Sequence, residues 1–295
     1  MNAFLTAWRV APRVPLPVLR GACSAFAWAA WARQGRVAKR LEDNLHRVTG
    51  FEGRRLRRLS RRAFASTARY YSEVFEMERM TPEQFDARLR IEDITVAHGA
   101  LNSGSAAVGV LSHSGNWDIV GGYAARHIIP VVAVAEILKP RQVFDEFVAM
   151  RESVGMTILG HEGGATFRKL LRIAAGERAL LCLVADRDIS GSGIEVDMWG
   201  QRVKVAPGPA AVCGATGVPL VPIMSYYERL HGARRRAAGS KWGVVLQFGE
   251  PLDPADFPKE TRVQELSQAW ATWMAARIKE RPQDWHMLQR FGWVE

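Results

Sequence analysis

A histidine and an aspartate, His113 and Asp118, follow a short apolar run at residues 106–111. Histidine can act as a general base near neutral pH without a large pKa shift, and a carboxylate can orient it and stabilise its cation. The run predicts a buried parallel strand, and residues 117–127 predict the helix that follows it. The histidine is therefore expected at the carboxyl end of a strand, where open α/β sheets place their ligands.

The residues after the histidine, Ser114, Gly115 and Asn116, permit a tight turn and free backbone N–H groups at the start of the helix. Such groups suit an anion or a developing oxyanion, for which Arg151 is another candidate donor. The same spacing also fits an ordinary helix N-terminus whose first-turn aspartate is favoured by the helix dipole. Taken alone, the pattern leaves catalysis and helix capping both open.

Composition and charge limit the possible classes of protein. The chain has 295 residues, 48% of them hydrophobic, and no uncharged stretch near the roughly 18 residues that span a bilayer. A net charge of +10 predicts an anionic partner, and the ten tryptophans favour a phospholipid surface over nucleic acid. The three cysteines have neither metal nor disulfide spacing, which favours a reducing cytoplasmic environment.

Residues 1–34 are predicted to lie in a membrane interface ahead of a single domain over residues 35–295. This segment is apolar, aromatic and basic, and its longest uncharged run, residues 21–32, suits an interface better than a span. A signal peptide is the competing interpretation. A helix predicted over about residues 54–76 carries a basic face that either contacts phospholipid or is simply solvated. That face consists of Arg54, Arg55, Arg57, Arg58, Arg61 and Arg62.

Apolar runs alternate with helical stretches from residue 106 onward. Strands are predicted at 106–111, 131–137, 156–159, 179–185, 219–224 and 243–248, and helices at 117–127, 141–154, 166–175, 208–217 and 263–280. This alternation predicts an α/β fold whose central twisted, mainly parallel sheet is flanked by helices on both faces.

Four further segments accompany the histidine motif in a fixed order. They are Glu136-Ile137-Leu138-Lys139-Pro140 with Arg151 one helix later, the block from Ala185-Asp186-Arg187-Asp188 to Glu195-Val196, Ala206-Pro207-Gly208-Pro209, and the tail Pro282-Gln283-Asp284-Trp285 to Arg290-Phe291. As an ordered set they resemble the lysophospholipid acyltransferase superfamily and its bacterial lipid A biosynthesis acyltransferase branch. The motif has an aspartate where the H-x4-E of lipid A enzymes has a glutamate. In this it resembles the motif of the actinobacterial acyltransferases of phosphatidylinositol mannosides.

The resemblance implies an activity. It implies transfer of a palmitoyl group from acyl-coenzyme A, as co-substrate, to a mannose hydroxyl of a phosphatidylinositol mannoside. The enzyme is expected to be a peripheral monomer on the cytoplasmic face of the plasma membrane, without metal, cofactor or nucleic acid. Another glycolipid or a lysophospholipid is the alternative acceptor.

The resemblance also implies roles for individual residues. His113 matches the catalytic histidine, Glu195 matches the glutamate that pairs with it, and Asp118 matches the motif aspartate. We favour Glu195 as the partner of His113, with Asp118 better placed to hold Arg151, but the sequence leaves the choice between the two carboxylates open. The positions expected to contact substrate are Ser114, Asn116, Glu136, Lys139, Arg151 and Arg187.

The chemistry is consistent with these residues. A sugar hydroxyl is a poor nucleophile, so a histidine must take its proton as it attacks the thioester carbonyl. A serine hydrolase would need a G-x-S-x-G elbow, which the chain lacks. A binding protein without catalysis accounts for the charge but not for the ordered segments. A metal-dependent hydrolase using His113, Asp118 and His127 is a third alternative.

Overall fold

The computed structural model describes residues 3–188 and 191–294, so the parts of the predictions above that fall on residues 1, 2, 189, 190 and 295 lie outside the described residues. The helices are α1 (Ala3–Val10), α2 (Leu16–Ala32), α3 (Arg36–Thr49), α4 (Gly53–Val74), α5 (Pro82–Arg88), α6 (Ile94–Leu101), α7 (Trp117–His127), α8 (Arg141–Ser153), α9 (Gly164–Gly176), α10 (Gly208–Thr216), α11 (Gly232–Ala237) and α12 (Arg262–Glu280). The strands are β1 (Leu89–Glu92), β2 (Ala107–Leu111), β3 (Val131–Ala135), β4 (Thr157–Gly160), β5 (Leu180–Val184), β6 (Ile194–Met198), β7 (Gln201–Val205), β8 (Leu220–Arg229) and β9 (Trp242–Phe248).

Within the described ranges, seven strands form one sheet in the order β1-β9-β8-β2-β5-β3-β4. Strands β2, β3, β4, β5 and β8 run parallel, whereas β9 is antiparallel to β8 and carries β1 at the edge. The predicted fold class, a mainly parallel sheet with flanking helices, is confirmed. The sequence analysis missed β1 and the β6–β7 hairpin, since both consist of short strands that lie outside the regular alternation.

The sheet separates two hydrophobic cores because successive side chains of a strand point to opposite faces. On β2, Val108 and Val110 pack into the core that α9, α10 and α12 cover, while Ala107 and Leu111 pack into the core beneath α7 and α8. Both faces of this central strand are buried, which accounts for its uninterrupted apolar sequence. The strand therefore delivers His113 to a fixed position at its carboxyl end.

Part of the N-terminal segment packs on the protein. Trp8 of α1 is buried, with its ring centroid 5.3 Å from Phe75 and 4.8 Å from Phe147. The indole of Trp31, at the end of α2, donates to Ser60 Oγ at 2.9 Å. These two tryptophans thus contact the protein itself, and the membrane interface expected for residues 1–34 stays a prediction.

The remaining aromatic residues of α2 face outward. Phe26 is 77% exposed and Trp28 is 62% exposed. Arg20 of the same helix forms an ion pair with Glu76 and places Nη2 2.8 Å from Oε2, which fixes α2 against the end of α4. In the described part of the chain, no helix combines the length and the apolar character that crossing a membrane requires.

Candidate active site

His113 lies in the turn between β2 and α7, and its imidazole pairs with Asp186. The imidazole Nδ1 is 2.6 Å from Asp186 Oδ1, and the His113 amide donates to Oδ2 at 3.1 Å. A carboxylate at Nδ1 keeps the proton on that nitrogen, which leaves the Nε2 lone pair to accept a proton. The geometry is that of a general base with an orienting acid.

The register of two strands brings this pair together. Leu111 of β2 is level with Val184 of β5, so His113 and Asp186 each lie two residues beyond paired positions. In a parallel sheet both side chains reach the same edge. The strand predicted at 179–185 could therefore have indicated this partner, because Asp186 follows it at the carboxyl edge of the sheet, as His113 follows β2.

Asp186 is held by a third group, the indole of Trp285. Trp285 Nε1 donates to Asp186 Oδ2 at 2.8 Å, and both residues are fully buried. Burial by itself raises the pKa of Asp186, but the charge of His113 and the hydrogen bonds from the imidazole, the indole and the His113 amide outweigh it and hold this pKa below its usual value. Asp186 is accordingly an ionised carboxylate at neutral pH.

Glu195 is not the partner of His113, so this expectation is wrong. It lies in the β6–β7 hairpin, where its side chain is 41% exposed and pairs with Arg202 at 3.2 Å. The neighbouring Val196 points into the core, and the Glu195 carbonyl accepts from Gln264 of α12 at 2.7 Å. Strand alternation together with this contact to α12 turns the Glu195 carboxylate outward.

Asp118 does not pair with the imidazole either. Its Oδ1 accepts from Arg151 Nε at 2.6 Å and its Oδ2 accepts from the Tyr70 hydroxyl at 2.9 Å, as the alternative placement beside Arg151 predicted. Desolvation lowers the pKa of Arg151, but the Asp118 carboxylate and Tyr70 raise it above its usual value. A charged, buried pair therefore lies on the wall of the site.

Ser114 and Asn116 shape the turn rather than line the site. Ser114 Oγ lies 2.8 Å from Ser112 Oγ, whereas Asn116 Oδ1 accepts from the Ile119 amide at 3.0 Å and caps α7. Both residues are fully buried, so the expectation that their side chains contact substrate is wrong. Between them, Gly115 has φ +60°, and a Cβ there would lie 2.6 Å from the Ser225 carbonyl carbon, which only glycine avoids.

A cavity of about 580 Å³ opens beside the imidazole. His113, Asp118 and Arg151 belong to its lining. The apolar part of the lining comes from the sheet and from the helices of the second core, and includes Val120, Ala124, Ala133, Met156, Leu180 and Phe248. The His113 imidazole therefore lies next to a space that suits a hydrocarbon chain.

The other predicted substrate positions are divided between the cavity and the surface. Arg187 Nη2 donates to Glu136 Oε2 at 3.2 Å, and both residues line the cavity. Arg187 Nε is buried and has no hydrogen-bond partner among the described residues. Lys139 is exposed and lies outside the lining, next to Leu138, which belongs to it.

The metal-hydrolase alternative fails on geometry. His127 Nε2 lies 3.0 Å from Asp86 Oδ1 in an exposed pair that is not part of the cavity. His113 and Asp118 each have the other partners described above. The three side chains of that hypothesis therefore do not converge.

The C-terminal tail contributes to the site, which sequence reasoning missed beyond its family resemblance. The His286 amide donates to the His113 carbonyl at 2.7 Å, and the His286 ring lies 2.9 Å from the Gly115 carbonyl. Burial lowers the pKa of His286 to about 4. The ring is therefore neutral, with Nε2–H donating to Gly115 and Nδ1 accepting from the Thr67 hydroxyl at 3.0 Å.

Comparisons with known proteins show the family to which the chain is similar. Residues 1–291 match the family model described as bacterial lipid A biosynthesis acyltransferase. The chain is 34% identical, over 97% of its length and 89% of the relative's, to a phosphatidylinositol mannoside acyltransferase of Mycolicibacterium smegmatis. It is 31% identical, over 97% of its length and 86% of the relative's, to a protein of the same name from Mycobacterium tuberculosis.

A solved structure is similar to the chain at a lower level. The 1-acyl-sn-glycerophosphate (LPA) acyltransferase PlsC from Thermotoga maritima matches with a TM-score of 0.40 and 14% identity, over 90% of this chain and 95% of that one. The match to the family model defines the protein as an acyltransferase. More specifically, the chain belongs to the bacterial lipid A biosynthesis acyltransferase family.

The hydrogen bond between His113 and Asp186 predicts the ranking of two isosteric variants. Asp186→Asn should lower kcat by roughly two to four orders of magnitude, because the amide lacks the charge that opposes an imidazolium and can donate toward Nδ1, which favours the wrong tautomer. Glu195→Gln should change kcat by less than about twofold, since an exposed ion pair contributes little. Steady-state rates with circular dichroism as a folding control make the comparison, and a larger loss in Glu195→Gln would contradict the pairing.

Proposed function

We propose that this protein transfers a palmitoyl group from acyl-coenzyme A to a mannose hydroxyl of a phosphatidylinositol mannoside, at the cytoplasmic face of the plasma membrane. The observation that carries the proposal is the His113–Asp186 pair at the opening of an apolar cavity. The names of the relatives, phosphatidylinositol mannoside acyltransferase, support the acceptor class.

The base is His113. Its Nε2 takes the proton of the mannose hydroxyl as the oxygen attacks the thioester carbonyl carbon, and Asp186 stabilises the imidazolium that forms. Collapse of the tetrahedral intermediate then breaks the carbon–sulfur bond, and the imidazolium returns its proton to the leaving thiolate. An ester and free coenzyme A result, and His113 regains its starting form.

The oxyanion of the intermediate needs hydrogen-bond donors. The amides of Ser114 and Gly115 are already used, since they donate to the Ser112 carbonyl at 2.8 Å and the Asp284 carbonyl at 2.9 Å. Of the first N–H groups of α7, that of Ile119 already donates to Asn116 Oδ1. Those of Trp117 and Asp118 remain suitable, because the first turn of a helix contains no carbonyl that can accept from them. We assign the oxyanion to this helix terminus, where the helix dipole also favours negative charge.

Arg187 is proposed to contact the anionic or carbonyl oxygens of a substrate. A buried N–H group without a partner costs about 1–3 kcal/mol, and Arg187 Nε on the cavity wall has no partner among the residues that the structure describes. A substrate oxygen would satisfy it. Glu136 holds the other end of the guanidinium and can accept from a sugar hydroxyl, which is the role we propose for it.

The apolar cavity is proposed to hold the acyl chain of the donor. Each methylene that leaves water contributes about 0.8 kcal/mol, so a long chain binds there far better than a short one. An acyl chain bound in this cavity would have its thioester end next to His113. The buried Asp118–Arg151 pair then forms part of the wall that fixes the chain's first carbons.

The reaction can be tested with purified protein and palmitoyl-coenzyme A. We expect release of free thiol and formation of an acylated product with a phosphatidylinositol mannoside, because the site needs both a hydroxyl nucleophile and a thioester. Lysophospholipid and an unrelated glycolipid serve as parallel acceptors. Transfer to either of these but not to the mannoside would replace the proposed acceptor, and no transfer to any acceptor would contradict the proposed reaction.

An anionic membrane is the proposed docking surface. Arg54, Arg58, Arg61 and Arg62 follow the spacing i, i+4, i+7 and i+8, so they form one stripe along the exposed side of α4. Arg57 instead stacks over Trp31, with its Cζ 5.0 Å from the ring centroid, which places α2 next to this stripe. Exposed Phe26 and Trp28 on α2 together with a basic stripe on the neighbouring α4 suit an interface with anionic headgroups.

Replacing the four arginines of the stripe by glutamine should weaken binding to anionic vesicles by on the order of 1 kcal/mol for each charge that meets the surface. Turnover on a detergent-dispersed acceptor should change much less. Vesicle co-sedimentation at two salt concentrations measures the effect.

A second quadruple variant serves as the matched control. Arg168, Arg172, Lys259 and Lys279 are also exposed but lie on or next to α9 and α12, whose buried residues belong to a different core cluster from those around the α4 stripe. Their replacement by glutamine removes the same charge and should leave binding near the wild-type value. Equal losses in both variants would mean that net charge, not the α4 stripe, determines binding.

A further inference from the structure

The tail segment Asp284–His286 pairs with the catalytic turn as a short added strand. Ser114 and Trp285 form an antiparallel bridge, and the Gly115 amide and the His113 carbonyl bond to the backbone of Asp284 and His286 at 2.9 and 2.7 Å. The tail is itself anchored, because Asp284 Oδ1 accepts from Ser66 at 2.6 Å. The turn that carries the base is therefore held by residues more than 160 positions away in sequence.

This pairing brings the Trp285 indole to the far side of Asp186. Oδ1 of the carboxylate faces the imidazole Nδ1, while Oδ2 accepts from the indole and from the His113 amide. We propose that Trp285 is a positioning residue for acyl transfer, which fixes the rotation and the charge of Asp186 and, through it, the His113 imidazole. The inference deepens the proposed function, since it assigns a new group to the same site.

Burial and ring contacts fix the position of the Trp285 indole. Trp285 is fully buried, and its ring centroid lies 5.5 Å from that of Trp199 and 5.0 Å from that of Phe291. Its N–H group therefore has little freedom to follow a moving carboxylate. Asp186 must instead align with the indole, and this alignment leaves Oδ1 toward the imidazole.

The indole also affects the proton affinity of the pair. A donor to a carboxylate stabilises its charged form, so loss of the indole N–H should let the His113–Asp186 pair take up a proton at higher pH. The other titratable ring that packs against the turn, His286, is kept neutral by burial, with its pKa lowered to about 4. Burial also raises the pKa of Asp284 in the same tail, so the predicted quantity is the shift of the acidic limb relative to wild type and not its absolute position.

Trp285→Phe removes the N–H group and keeps a ring in the aromatic cluster. We expect kcat to fall roughly ten- to a hundredfold with KM little changed, as for loss of a hydrogen bond to a charged group. The acidic limb of the kcat profile should move upward by roughly half to one pH unit.

Trp199→Phe is the matched control. Its indole lies in the same cluster but donates to the Ala275 carbonyl at 2.8 Å, away from Asp186. This variant makes the same change from an indole to a phenyl ring and loses one hydrogen bond, so it should lose stability to a similar extent but keep kcat and the pH profile. Equal kinetic losses in the two variants would overturn the proposal, since they would show a merely structural effect of the cluster.

A double-mutant cycle with Asp186→Asn separates positioning from general disruption. If Trp285 acts only through Asp186, Trp285→Phe should have almost no further effect on kcat in the Asp186→Asn background. Full additivity of the two losses would overturn the inference. Wild-type turnover is the internal reference, because inactive wild-type protein would count against the proposed function and not against this contact.

One measurement needs neither a variant nor a substrate. In wild-type protein labelled with ¹⁵N in tryptophan and histidine, one buried indole N–H resonance should titrate together with the His113 imidazole, since both share the Asp186 carboxylate. This tests the contact even if Trp285→Phe does not fold. If no indole resonance follows that titration, the indole does not sense the pair and the proposal is wrong.

Discussion

The hydrogen bond between His113 Nδ1 and Asp186 Oδ1 is the interaction on which the rest of the site depends. It exists because β2 and β5 are neighbours in a parallel sheet and are in register at Leu111 and Val184. Both strands are apolar and their ends are fixed by two hydrophobic cores, so the separation of the two side chains is set by the sheet. A general base needs a fixed position, because misplacement by about 1 Å can cost roughly a hundredfold in rate.

The surroundings of the pair combine charge and apolar surface. Asp186, Asp118 and Arg151 are largely or fully buried, which costs free energy unless every charge has partners. Each has them: the indole, amide and imidazole for Asp186, and Arg151 with Tyr70 for Asp118. Much of the remaining wall is apolar, so the site presents an oriented imidazole beside hydrocarbon surface.

Much of the fold follows from the sequence, but the partner of His113 does not. Strong periodicity located β2, β5 and α7 to within a residue or two, and the turn at His113 lies where it was expected. Glu195 was favoured because the resemblance matches it to a glutamate that pairs with the histidine. The register between β2 and β5 instead places Asp186 beside His113. Register is a property of two strands together, so the position of Asp186 after a predicted strand becomes informative only when β5 is known to be the neighbour of β2.

Other misses have the same origin in long-range contacts. Phe26 and Trp28 of the N-terminal segment are exposed, and the membrane interface predicted for this segment stays a prediction, whereas Trp8 packs between Phe75 and Phe147. Ser114 and Asn116 belong to the motif and yet face inward, because the turn needs its own hydrogen bonds before it can present a base. The tail around Trp285 was recognised only by its resemblance to the family, since nothing in its composition indicates that it packs on the turn at His113.

Replacement of His113 by alanine tests the central claim most directly. Acyl transfer by His113→Ala should fall to about 1% or less of the wild-type turnover, because a positioned base contributes roughly a hundredfold or more. Folding by circular dichroism and binding of a non-hydrolysable acyl-coenzyme A analogue should stay close to wild type, since a base supplies rate rather than affinity. Turnover above about 10% of wild type in a folded variant would contradict the assignment of His113 as the base.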